Sequence, residues 1–172
     1  MLVTLRAFGT EPIEQRAFDY FIARLDTIHF PCFDYHSFDT LKNKIYLRKK
    51  TSCKSRIFSN NLRLRPLNTF IMADSLITSN EFGLSYIQSD ENPVEIKSKE
   101  YSFVEAVETL PKIDSIQEND LTINLTSKFI LKQYYMVCIS IECKHAWVLD
   151  DIYIKIDLNG NPITYVQSSK VR

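Results

Sequence analysis

Three glycines in 172 residues leave almost nothing from which to build a phosphate-cradling loop. Accordingly there is no Gly-rich nucleotide fingerprint, no Gly-x-Ser-x-Gly elbow and no His-Glu-x-x-His pair, which removes the commonest enzyme classes. The six prolines are scattered, so fibrous and low-complexity chains are excluded as well. The four cysteines, Cys32, Cys53, Cys138 and Cys143, have neither the density nor the spacing of a disulfide scaffold. The opening stretch MLVTLRAFGTEPIEQ has no basic region followed by an apolar run. Both features predict a reduced, cytoplasmic setting. The longest apolar runs, such as YYMVCISI at 134–141, fall far short of the ~20 residues that span a bilayer, so no membrane association is expected.

Net charge is lacking too: 21 basic residues meet 21 acidic ones. Neutrality of the whole hides an uneven distribution. Between Thr40 and Ala73 lie Lys42, Lys44, Arg48, Lys49, Lys50, Lys54, Arg56, Arg63 and Arg65 without a single acid. The stretch from Asp74 to Asp120 carries most of the compensation. Such a dipole can attract an acidic partner locally, whereas the acidic remainder and the absence of a nucleic-acid motif disfavour nucleic acid.

What the chain has in quantity is core material: 45% apolar residues, with 11 Phe and 9 Tyr. A chain this long buries roughly two thirds of its unfolded surface without disulfide or metal. LVTLRAF at 2–8 reads as a short strand. The following segment predicts a helix, with Thr10 as N-cap, Pro12 and two acids in the first turn, and an apolar stripe at 13, 17, 18, 21, 22 and 25. Pro31 is its expected end. NKIYLRKK and RIFSNNLRLRPLNTF alternate apolar with basic residues and predict two half-exposed strands with a positive solvent face. Residues 72–83 suggest one or two helical turns, and LSYIQ and VEIKS suggest strands. Segment 101–110 fits helix or strand. The C-terminal third is a series of β-branched and aromatic runs: LTINLTSKFIL, YYMVCISIEC, AWVL, DIYIKIDL and PITYVQ. Asn159-Gly160 is the strongest hairpin signal, and Pro162 puts the last strand at an edge or its first residue outside the pairing. The expectation is one α+β domain over 1–172, with a mainly antiparallel sheet late in the chain and the amphipathic helix packed on it.

Three constellations carry candidate chemistry. Cys32, His145 and Asp157 follow the order thiol, base, carboxylate of a nucleophilic site, although Asp150 and Asp151 compete for the third role. The string HAWVLDDIYIKID at 145–157 resembles the His-Ala-Trp-Val strand of transglutaminase-like thiol enzymes, which implies Cys32 as nucleophile, His145 as base and a carboxylate on the neighbouring strand. His29, Cys32 and His36, with Cys143 or His145 as a fourth ligand, have zinc-like spacings but no paired Cys-x-x-Cys. Packed thiols and surface imidazoles are the simpler account of both sets, and no cofactor is expected. The third constellation is the basic stretch, where Tyr46 and Phe58 interleave Arg48, Lys49, Lys50, Arg56, Arg63 and Arg65. A solvated basic face is the simplest account of this stretch; because Tyr and Arg are over-represented where interfaces concentrate their energy, it is also the expected partner-binding surface.

A further resemblance covers residues 68–121. LNTFIMADSLITSNEFGLSYIQ, followed by VEIKSKEYSFVEAVETLPKIDSIQENDL, resembles the middle of a bacterial immunity-protein family encoded beside polymorphic toxins. The resemblance implies a strand at 101–110 and a non-enzymatic protein that binds and neutralises a partner. The first functional expectation is therefore an immunity or antitoxin-like inhibitor. A thiol-dependent acyl-transfer or hydrolytic enzyme is the alternative, and a viral accessory or structural protein the third. Partner identity and oligomeric state stay open at this level.

Overall fold

The computed structural model describes residues 11–28, 40–58, 77–79, 84–89, 91–98, 100–131, 133–144 and 148–171. Helix α1 spans Ile13–Ile22 behind Pro12, whose φ of −55° suits a helix entrance. The apolar stripe is the one its spacing predicts: Ala17, Phe18, Phe21, Ile22 and Leu25 are buried. Thr10, the expected cap, lies outside the described residues. The helix stops well before Pro31, because the turn tightens: Arg24 N donates to the Phe21 carbonyl at 3.0 Å and Thr27 N to that of Arg24 at 2.9 Å.

Strand β1 is Ile45–Arg48, β2 Lys54–Phe58, β3 Ile77–Ser79, β4 Leu84–Gln88 and β5 Val104–Val107. A 3-10 turn at Ile113–Ser115 leads into β6 Leu121–Leu125, β7 Phe129–Leu131, β8 Tyr134–Cys143, β9 Val148–Ile156 and β10 Pro162–Val171. The main sheet has seven strands in the order β10-β9-β8-β6-β1-β5, with β7 also on β8, while β2, β4 and β3 form a small antiparallel sheet. The architecture is α+β, as expected, and most pairings are antiparallel. Strand β1, however, is inserted between β5 and β6 and runs parallel to both. It is therefore an interior strand of the sheet, and half-exposed as expected: Ile45 and Leu47 are wholly buried, while Tyr46 is half-buried and Arg48 exposed.

Several local expectations need correction. Ile77–Ser79 is a strand rather than a helical turn, because it pairs with β4. VEIKS forms only an isolated bridge, Lys50 to Glu95. AWVL and DIYIKIDL are not two strands: residues 148–156 are continuous, since Asp150 and Asp151 stay in the ladder opposite Ile141 and Ser140. Segment 101–110 resolves as a strand at 104–107. Pro162 does open an edge strand.

Pairing register assigns each residue to a face. Ile45, Leu47, Leu121, Ile123, Leu125, Val137, Ile139, Ile141, Ile152, Ile154 and Ile156 share one side and form a single core with Phe18 and Phe21. Burying each such side chain contributes roughly 1.5–3 kcal/mol. The polar side of α1 is also committed. Glu14 Oε1 accepts from Lys128 N at 2.9 Å. The Gln15 amide accepts from Lys97 N at 2.7 Å and donates to Lys97 O at 3.0 Å, as a strand residue would. Asp19 accepts from Gln15 Nε2 and from the Tyr101 hydroxyl, both at 3.1 Å. The helix is thus fastened on both flanks. The two sheets meet where Ser52 bridges Thr126, reinforced by a 2.8 Å hydrogen bond between the Thr51 and Ser127 hydroxyls.

Candidate functional site

Residues alternating with the core positions emerge on the face opposite α1. From β1 these are Tyr46 and Arg48, from β6 Thr122 and Asn124, from β8 Cys138, Ser140 and Glu142, and from β9 Asp151 and Tyr153. The polar alternation in LTINL and CISIEC is the signal for this face, and treating those segments only as strand-length apolar runs overlooks it. Exposure is graded across it. Arg48 is exposed, Tyr46, Asn124, Ser140 and Glu142 are half-buried, and Cys138, Asp151 and Tyr153 are buried.

At the buried end, Asp151 Oδ1 accepts from the Ser140 hydroxyl at 2.7 Å and Oδ2 from the Tyr153 hydroxyl at 3.4 Å. Burial pushes the Tyr153 phenol well above its ordinary range, and the neighbouring Cys138 thiol and Asp151 carboxylate add to it. Lys155 stands over the Tyr134 ring, 4.1 Å from its centroid. At the open end the phenol of Tyr46 is pushed up, first by desolvation and then by Asp120.

The basic stretch enters this end of the sheet and is partly neutralised there. Lys44 Nζ lies 2.8 Å from Glu105, and Lys49 Nζ lies 3.2 Å from Glu108 and 3.5 Å from Glu95. Hydrogen bonds to Glu105 and Glu108 hold both ammonium groups charged to higher pH than usual. Arg48 and Lys50 are exposed. Of the expected contact residues, the structure therefore brings Tyr46 and Arg48 together on one face, sets Lys50 beside them along the chain, and commits Lys49 to carboxylates. Arg56 and Phe58 belong to β2, where the backbone alone is described; Arg63 and Arg65 lie outside the described residues.

Asp157, the candidate orienter of a thiol site, is occupied by the turn between β9 and β10. Its Oδ1 accepts from Asn159 N at 2.9 Å and Asn161 N at 2.8 Å, and its Oδ2 accepts from Asn161 Nδ2 at 3.0 Å. Those donors, the Asn161 backbone first, hold its carboxyl below the usual range. Its competitors sit mid-strand, Asp150 toward the helix and Asp151 away from it, both buried. Cys32 and His145 lie outside the described residues, as do His29 and His36 of the zinc reading. Among the described residues no group of three or more His, Cys, Asp or Glu is placed to hold a metal ion. Cys53, Cys138 and Cys143 are thiols rather than disulfides, Cys143 within the core and Cys138 on the opposite face. Among known proteins, no family model, curated protein or solved structure matches this chain.

Proposed function

We propose that the chain is a non-enzymatic protein-binding module, an inhibitor of the immunity or antitoxin kind that blocks an acidic surface on a partner protein. The observation that carries this reading is the placement of Tyr46 and Arg48 two residues apart on the face of β1 opposite α1. Pairing of β1 on both sides fixes the backbone that carries both side chains before any partner arrives, so less ordering entropy opposes binding. An aromatic ring beside a guanidinium is the pairing over-represented at interface hot spots. The exposed Lys50 adds positive charge next to them, favouring encounter with an acidic surface.

The test is parallel capture from native-host lysate by the wild type and by the double variant Arg48→Glu, Lys50→Glu. One partner held near stoichiometry by the wild type and lost by the variant is the expected result. Equal retention by both removes this surface from the reading. If neither retains a partner, the binding module itself is the wrong class.

A further inference from the structure

The two outer edges of the main sheet are built differently. On one side β5 is only four residues long, and Glu105 and Glu108 on and just beyond it are exposed. Shortness and charge are the usual means by which an edge is kept from pairing with another chain. On the other side β10 runs for ten residues. Its start is blunted by Pro162, which has no N–H to donate, and by the irregularity that leaves Ile163 without a counterpart on β9. Its far end carries Lys170. Between them Thr164–Ser169, TYVQSS, has no charge, no proline and no bulge, and among the described residues no strand pairs with its outer edge.

We propose that this edge pairs with the same edge of a second copy, forming a homodimer through antiparallel β10–β10 addition. The occupant follows from the charge pattern: a partner strand must bring no charge opposite an uncharged run, and the run itself meets that requirement. The blunted ends fix the register. A two-fold axis perpendicular to the sheet keeps like faces together and must pass through a residue near the middle of the window. Centred on Val166, Thr164 meets Ser168, Tyr165 meets Gln167, and Lys170 falls opposite Pro162 rather than another lysine. Both helices lie on one side of the joined sheet and both polar faces on the other. With strands about 4.8 Å apart, the two copies of β1 lie roughly 40 Å apart, one partner surface at each end.

The experiment is light scattering on the full chain over a concentration series, with amide hydrogen exchange at its two ends. The expected result is a shift from the 20.1 kDa chain mass toward twice that value, with amides of 164–169 exchanging more slowly in the concentrated sample. Val166→Lys places like charges at the axis and should restore the single-chain mass while leaving the circular dichroism unchanged. A constant single-chain mass overturns the proposal, and so does a dimer whose 164–169 amides gain no protection. The exchange readout needs no variant, so poor folding of Val166→Lys leaves it decisive. The Arg48→Glu, Lys50→Glu variant must still dimerise, which separates this outcome from that of partner binding.

Discussion

Arg16 on α1 closes over Gly160 in the β9–β10 turn: its Nη1 donates to the Gly160 carbonyl at 3.0 Å and to that of Asn159 at 3.1 Å. Gly160 has φ of +83°, and a Cβ built there runs into the guanidinium. Two separate penalties thus oppose a side chain at this position. Gly160→Ala should cost about 1–3 kcal/mol, from left-handed backbone strain and displacement of Arg16. Arg16→Ala alone loses the two hydrogen bonds. In the double variant the steric part vanishes, so chemical denaturation should give less destabilisation than the sum of the single variants.

The amide of Gln15 is a sharper probe of helix attachment. It both donates to and accepts from the backbone of Lys97 and donates to Asp19. Gln15→Glu keeps the shape and the acceptor but removes the donors and sets a second carboxylate beside Asp19. A loss of about 1–3 kcal/mol is expected in urea unfolding at neutral pH, larger than for Gln15→Met, which leaves no charge. Equal losses would mean that packing, not this pairing, secures the helix.

Why some of this was legible in sequence and some not follows from range. The helix stripe, the Asn159-Gly160 turn and the edge position of Pro162 depend on neighbours within a few residues, and their chemistry is local. The parallel insertion of Ile45–Arg48 between Val104–Val107 and Leu121–Leu125 depends on pairings 59 and 76 residues distant, which no local pattern encodes. Asp150-Asp151 imitates a turn because two adjacent acids ordinarily break a strand; Ser140 and Gln167 from the flanking strands keep them in it. The polar face was written in the alternation of Thr122, Asn124, Ser140 and Glu142. That Tyr46 and Arg48 share it required knowing β1's neighbours.

The two ends of the pH scale should be controlled by different residues. Tyr101 is pushed up to about 12, chiefly by burial and then by the Asp19 carboxylate. Its neutral form is favoured by folding, so the stability it contributes is complete below the ordinary phenol value of 10.0 and lost as pH rises through about 12. Tyr101→Phe should flatten that alkaline fall and remove one late component of the tyrosinate absorbance titration. Asp157 is the opposite case: its carboxyl is lowered from 3.8 by turn donors, so its contribution is present above 3.8 and disappears as pH falls below it. Asp157→Asn should lower stability at neutral pH and make the remaining acid limb shallower.

The carboxylates facing Lys44 and Lys49 make a prediction that separates stability from binding. All of these groups are substantially exposed, with Glu108 at 69% and Glu105 at 48% by side chain. Exposed pairs of this kind are screened by solvent and add little to stability, so Glu105→Gln and Glu108→Gln should scarcely move the unfolding midpoint. Their effect on an acidic partner should be larger, because Lys44 loses Glu105, Lys49 loses Glu108 while keeping Glu95, and two negative charges leave the neighbourhood of Arg48 and Lys50. The association rate of the double variant should rise severalfold at low salt, and the gain should shrink as ionic strength increases, since screening acts on encounter rather than on the docked contact. Stopped-flow association at two salt concentrations measures both. A rate that falls on removing these acids would mean that the partner meets this end of the sheet through its own cations, and the sign of the charge complementarity would have to be reversed.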